Sequence, residues 1–263
     1  MPPHPESPTP DPRAAIQRAF TRQAESYARS LLVTDFSLPA MIELAAPRGD
    51  ELTLDLAAGT GMVSLVFAPR VRRVVAADLT AAMLAQAAER RAREGAANVD
   101  LLVADVAILP FAADTFDLAT CRIAIHHFPQ PAPILEELRR VLRPGGRAII
   151  CDTLASEDPA RAALHNRIER IRDPSHVRML PESELRALIE TTGFVVEAAR
   201  HTSKAREFGE WTSLARTPPE AAAEARALLL EAVDGDAAGI DARLEDGELR
   251  FTHRSVAFSA VPR

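Results

Sequence analysis

Residues 52–66, LTLDLAAGTGMVSLV, constrain this chain most. A short apolar run, Leu52–Leu56, carries an acid at Asp55 and breaks at once into Ala57-Ala58-Gly59-Thr60-Gly61, after which a second apolar run starts at Met62. Strand, tight turn of small residues, then helix is the arrangement that brings backbone amides close to a ligand over a helix N-terminus. The remaining sequence can be tested against one question: what does this turn hold?

The chain continues in the rhythm that such a unit demands. Apolar runs at 52–56, 73–77, 99–104, 116–121 and 147–152 are continuous, not alternating, as strands covered on both faces are. Helical patterns at 61–68, 81–94 and 132–142 fall between them, which predicts a doubly wound α/β sheet. Upstream, Ile16, Phe20, Ala24 and Tyr27 recur at helical spacing, and a second helix is expected at 38–46. Downstream the spacing predicts helices at 160–171, with charges on one face, and at 182–192. A sixth strand is expected at 194–199 and a final alternating strand at 250–261. Residues 207–248, which include the only tryptophan, are too long for a hairpin and read as an insertion over the ligand site. Residues 1–12 contain six prolines and nothing to bury, so a disordered tail is expected, followed by one domain over 13–263.

Composition excludes several classes. A net charge of −6 with no basic stripe argues against a nucleic-acid partner. No apolar run approaches the roughly 20 residues that cross a bilayer, and the first residues lack the apolar core of a secretory signal, so a cytoplasmic protein is expected. Cys121 and Cys151 sit in separate strand-like runs and read as structural thiols.

Acids stand at or near the ends of three successive strands. Asp55 precedes the turn, Asp78 lies 23 residues on, where an acid accepts hydrogen bonds from ribose hydroxyls, and Asp105 can accept from an adenine amine. Leu79, Met83 and Val106 are placed to enclose a flat base. A dinucleotide would need a third glycine to seat its pyrophosphate, yet Gly59-Thr60-Gly61 is followed by Met62-Val63-Ser64. Asp55 adds negative charge where phosphates would lie, which suits a cationic, phosphate-free adenosine such as S-adenosylmethionine.

At this point the chain resembles the class I S-adenosylmethionine-dependent methyltransferases, close to the ubiquinone/menaquinone-biosynthesis type. The motifs are LDLAAGTG (54–61), VVAADLTAAML (74–84), VADVAILPF (103–111), FDLATCRIAIHHF (116–128) and ELRRVLRPGGRAIICD (137–152). The resemblance implies a seven-stranded, mostly parallel sheet with an antiparallel last strand, helical lid segments, and a methyl donor across Ala57, Gly59, Gly61, Asp78, Leu79, Asp105 and Val106. It implies that the helix bearing Tyr27 closes over the methionine end. It also places His176 and Arg178 near the acceptor. Ala57 departs from the usual first glycine of the turn, as it does in quinone-type relatives.

Catalytic candidates follow the fourth strand. The Asn/Asp-Pro-Pro-aromatic motif of nucleic-acid amino methyltransferases is missing there, and Arg122, His126 and His127 stand instead. Either histidine is a candidate base or acceptor-orienting group, with helix capping or packing as the alternative. Adjacent histidines converge poorly on an ion, so no metal site is expected. Arg122 is a candidate for the donor's carboxylate, an anionic acceptor or a surface ion pair, and Trp211 for a lid over a flat acceptor or for core packing. The expected activity is methyl transfer to a small aromatic or heteroaromatic metabolite by in-line displacement. The rivals are a cyclase or decarboxylase that keeps the same cofactor, and an NAD-dependent oxidoreductase.

Overall fold

The computed structural model describes residues 12–30 and 36–263. The proline-rich tail expected over residues 1–12 lies outside the described residues, apart from Pro12, which opens the first helix. Two helices, α1 (Pro12–Ser30) and α2 (Leu38–Ala45), precede β1 (Leu52–Leu56). The alternating part then runs α3 (Met62–Phe67), β2 (Arg73–Asp78), α4 (Ala81–Glu94), β3 (Val99–Val103), β4 (Phe116–Arg122), α5 (Pro131–Val141) and β5 (Leu142–Thr153). After it come α6 (Pro159–Arg172), α7 (Glu182–Thr191), β6 (Phe194–Glu207), α8 (Phe208–Leu214), α9 (Pro219–Glu231), β7 (Arg243–Glu245) and β8 (Glu248–Pro262).

The sheet order is β3-β2-β1-β4-β5-β8-β6. The first five strands pair in parallel, and β8 runs antiparallel to both β5 and β6. The order reverses beside β1, between β2 and β4, which opens a crevice at the carboxyl ends of those strands. This is the expected doubly wound α/β sheet with its antiparallel last strand. One strand is added to the expected seven: β7 pairs with β8 through Asp246 and Gly247, both at positive φ (54° and 81°). An Asp-Gly pair in that conformation is the two-residue hairpin turn that matches the twist of a sheet. The sixth strand also runs on to Glu207, because its polar second half is an edge strand paired with β8 on one side and open on the other.

Apolar layers cover both faces of the parallel strands. One joins Leu54, Leu56, Phe116 and Phe258 to Leu135 and Leu138 of α5 and Ile189 of α7; the other joins Leu118 and Ile149 to Met41 of α2 and Phe67 of α3. A third cluster gathers Trp211, Phe251, Ile168 and Leu229 where α6, α8 and α9 pack against the far ends of β6 and β8. The 207–248 segment therefore shares a small separate core with α6 and β8, which explains its Ala/Leu-rich helix.

Candidate active site

The turn after β1 is built by backbone demands. Ala57, Gly59 and Gly61 have φ of 55°, 55° and 77°, a region that L side chains rarely adopt. At Gly61 a Cβ would stand 3.0 Å from the Cβ of Ala87, so only glycine lets α3 and α4 approach this closely. Asp55 fixes the turn from below. Its Oδ2 accepts the Ser64 amide (3.0 Å) and hydroxyl (2.5 Å), and its Oδ1 accepts the Thr120 hydroxyl (2.9 Å), tying β1 to α3 and β4. Burial raises its pKa to about 6 against the pull of these donors. The acid read as a partner for a cationic ligand is thus also the anchor of the loop that holds it.

Above the turn lies a cavity of about 380 Å³. Asp78 Oδ2 accepts the Gly59 amide at 2.8 Å and Oδ1 accepts the Thr80 amide at 2.7 Å, which fixes the carboxylate at the cavity wall. Burial pushes its pKa up, while those two amides pull it down. Asp105 binds the Ala107 amide through Oδ1 (2.9 Å) and pairs with Arg13 of α1 through Oδ2 (2.5 Å). Leu79, Met83 and Val106 supply apolar wall, and a Cβ on Gly59 would meet Met83 Cε at 3.3 Å. Ile16, Phe20 and Tyr27 close the cavity from α1, whose Gln17 donates to the Leu79 carbonyl (2.9 Å). Burial raises the pKa of the Tyr27 phenol. The dimensions, the apolar slot and the two amide-held acids fit an adenosine.

A second cavity of about 110 Å³ adjoins the first and shares Phe20, Tyr27, Arg122, Ile123 and His127 with it. Arg122 binds the Ser37 hydroxyl (2.7 Å) beneath this boundary. His127 Nδ1 lies 3.0 Å from the Ser175 carbonyl, which can only accept, so Nδ1 carries the proton and Nε2 the lone pair. Burial, reinforced by the charge of His126, lowers its pKa to about 4, and the ring stays neutral. His126 is held differently: Nδ1 lies 2.6 Å from Asp152 Oδ1, and its backbone N–H donates to Oδ2 at 3.0 Å. Burial opposes its charge, but Asp152, with Glu169 and Asp173 behind it, outweighs burial and raises its pKa.

The fold thus brings Tyr27, Asp55, Ala57, Gly59, Asp78, Leu79, Met83, Asp105, Val106, Arg122 and His127 to one cavity, and His126 and Trp211 to the next. Gly61 stands behind the turn, against Ala87. His176 packs behind His126 (ring centroids 5.3 Å apart), bound to Asn166, and Arg178 pairs on the surface with Glu184. Trp211 is buried against Phe251 and under the guanidinium of Arg172, so core packing accounts for most of it. Residues that sequence reasoning passed over are Asp152, Arg172 and Arg206. Asp152 carried a readable signal, a fourth acid near a strand end, here that of the fifth parallel strand.

Fold and site define an α/β protein with a cavity at the switch point of the sheet that fits a nucleoside. A model described as "Methyltransferase domain" matches residues 54–150. The methyltransferase YcgJ of Bacillus subtilis is 32% identical over 76% of this chain and 80% of its own length. Its crystal structure superposes with a TM-score of 0.81 over 86% of this chain and 98% of that one, at 30% identity. A putative methyltransferase of Bacillus halodurans gives 0.79 at 32% identity, over 85% and 97%. A demethylmenaquinone methyltransferase of Clavibacter sepedonicus is 42% identical over 43% of this chain and 45% of its own length. The chain belongs to the class I S-adenosylmethionine-dependent methyltransferases, and S-adenosylmethionine is its cofactor. Among the described residues no helix is long and apolar enough to cross a membrane.

Proposed function

We propose that this enzyme methylates a small aromatic or heteroaromatic metabolite seated in the second cavity. The observation that carries the reading is the boundary between the cavities, where Phe20, Tyr27 and His127 belong to both. When bound, S-adenosylmethionine supplies an electrophilic methyl on a sulfonium sulfur and leaves as the thioether. Holding an acceptor in line with that methyl supplies much of the acceleration.

The chain's own groups divide the work. Asp78 and Asp105 accept from the ribose and the adenine amine, and Asp55 offers negative charge beneath the cationic end. His126 is the base: it lines the second cavity, and Asp152 fixes its ring with Nδ1 donating, leaves the lone pair on Nε2, and stabilises the charge once a proton is taken. His127, whose pKa of about 4 makes it a weak base, instead accepts a hydrogen bond at Nε2 and orients the acceptor. Arg172 and Arg206 line the same cavity and favour an acceptor with an anionic or hydrogen-bond-accepting substituent. The N-terminal helices and the 153–181 and 207–248 segments form the lid that keeps water out. The net charge of −6 supports a small-molecule acceptor over nucleic acid, and two buried free thiols suit a reducing, cytoplasmic setting.

Calorimetry with S-adenosylmethionine and S-adenosylhomocysteine tests the donor site; binding unchanged by Asp78→Ala would refute its assignment. Mass spectrometry of a metabolite extract incubated with isotopically labelled methyl donor identifies the acceptor, and a labelled macromolecule with no labelled metabolite would refute the small-molecule reading.

A further inference from the structure

Beyond the donor site, buried polar atoms without hydrogen bonds concentrate where α6 crosses β8. His165 and Glu169 stand four residues apart on α6 and so share a helix face. His253 meets them from β8. His165 and Glu169 are each 1% exposed, and the side chain of His253 is 11% exposed. Glu169 Oε1 lies 3.0 Å from His253 Nε2 and 3.7 Å from His165 Nε2, and one atom from each of the three side chains falls within 4.8 Å of the other two. Despite this closeness, none of Glu169 Oε1, His253 Nε2 and the two His165 nitrogens makes a directed hydrogen bond. Glu169 Oε1 faces both rings at ion-pair distance, and the three groups converge on a common point.

Two imidazoles and one carboxylate are the protein ligands of many open zinc sites and of two-His-one-carboxylate iron(II) sites. With metal–ligand distances of about 2.0–2.1 Å, tetrahedral neighbours lie roughly 3.3 Å apart, and the 3.0 Å and 3.7 Å separations bracket that spacing. The other oxygen of Glu169 is held by Arg172 at 3.3 Å, which leaves Oε1 turned to the rings. The histidines of the site already described are otherwise engaged: His126 with Asp152, His127 with Ser175 and His176 with Asn166.

We propose that His165, Glu169 and His253 bind one divalent transition-metal ion. Nitrogen-rich ligation beside the cationic Arg172 and Arg206 selects zinc-like or iron(II)-like ions, which bind imidazole strongly, over magnesium and calcium, which need oxygen ligands. Glu169 and His253 also line the second cavity, so the ion's remaining positions open onto it. There it holds an acceptor through an oxygen or nitrogen atom. That last placement rests on the acceptor reading above; the binding of the ion does not.

The test uses tag-free full-length protein stripped with a chelator. It is titrated with Co²⁺ and followed by visible absorption, with Zn²⁺ content measured by mass spectrometry and S-adenosylhomocysteine calorimetry run on the same samples. One Co²⁺ or Zn²⁺ per chain is expected, and no retained Mg²⁺. Losing an outer-shell partner alone costs about 10- to 100-fold in metal affinity, so His165→Ala and His253→Ala should each weaken binding by about 100-fold or more. S-adenosylhomocysteine affinity should stay unchanged, which reports an intact fold. Glu169→Gln, which keeps the side-chain shape, repeats the test should either alanine variant fail to fold. A wild-type chain that retains no ion, or full binding in Glu169→Gln and in the folded histidine variants, would overturn the proposal. Loss of S-adenosylhomocysteine binding with the ion retained would count against the donor-site reading alone.

Discussion

His126 Nδ1 lies 2.6 Å from Asp152 Oδ1, and the other oxygen of the same carboxylate accepts the His126 backbone N–H at 3.0 Å. One acid therefore fixes both the ring and the main chain of one histidine that lines the second cavity. A carboxylate in this position sets the tautomer and favours the protonated ring.

Replacing Asp152 by Asn keeps the shape and removes the charge. A base works when deprotonated, so wild-type kcat should rise with pH through a pKa above the ordinary histidine value. In Asp152→Asn that limb should move to lower pH and the plateau should fall by about 100-fold, the lower end of what a positioned base contributes. Donor affinity should hold. A pH–rate profile identical to wild type would remove His126 from the base role.

The Asp55 carboxyl titrates near pH 6, above its ordinary value of 3.8. Between these values the folded chain holds a proton that the unfolded chain has released. Stability from this group therefore falls as pH rises from about 4 to 6, by roughly 3 kcal/mol in all, and is level above. Affinity for the cationic donor should run the other way, rising by up to about tenfold per pH unit below the titration. Calorimetry from pH 5 to pH 8 on wild type and Asp55→Asn checks both signs; the variant should bind more weakly at neutral pH and show a flat profile.

Gly61 and Ala57 share a left-handed backbone but differ in what surrounds them. Gly61→Ala should destabilise by about 1–2 kcal/mol from φ alone. It also forces a Cβ against Ala87 at 3.0 Å, so thermal unfolding should fall by about 4 °C or more with weaker donor binding. Ala57→Gly relieves similar strain but loosens the unfolded chain, so its net effect should lie within about 1 kcal/mol.

Trp211 packs edge-on to Phe251 (centroids 5.0 Å apart) with Arg172 over its ring at 4.9 Å. Trp211→Ala should cost about 3–5 kcal/mol, and Trp211→Phe distinctly less. Because this is the only tryptophan, denaturation should be followed by circular dichroism in place of fluorescence. A fully stable alanine variant would show that the third core does not hold the 207–248 segment.

Much of the candidate donor cavity was legible because its signals are local. A strand-turn-helix unit, glycines in the turn and acids near strand ends sit within a few residues of each other, and the sheet brings those ends together without further instruction. The polar second half of β6 was not legible as strand, because its pairing with β8 joins residues 43 to 57 positions apart, from Glu207↔Arg250 to Arg200↔Ala257. Asp246-Gly247, by contrast, is a local hairpin signal, since both residues hold a positive φ in the turn between β7 and β8. The charges on α6 illustrate a different limit. A charged helix face is solvated by default, yet His165, Asn166, Glu169 and Arg172 are buried, because α8, α9 and β8 fold over them.

The sequence by itself determined the layered α/β architecture and the crevice that fits an adenosine, since apolar periodicity and turn chemistry act between near neighbours. Only the tertiary structure decided which histidine is paired with a carboxylate, that Arg178 stands on the surface and that Trp211 lies in a core. It alone joined His165 and Glu169 to His253. These are relations between residues brought together by packing, and side-chain burial and charge pairing take their values only once distant segments share the same low-dielectric space.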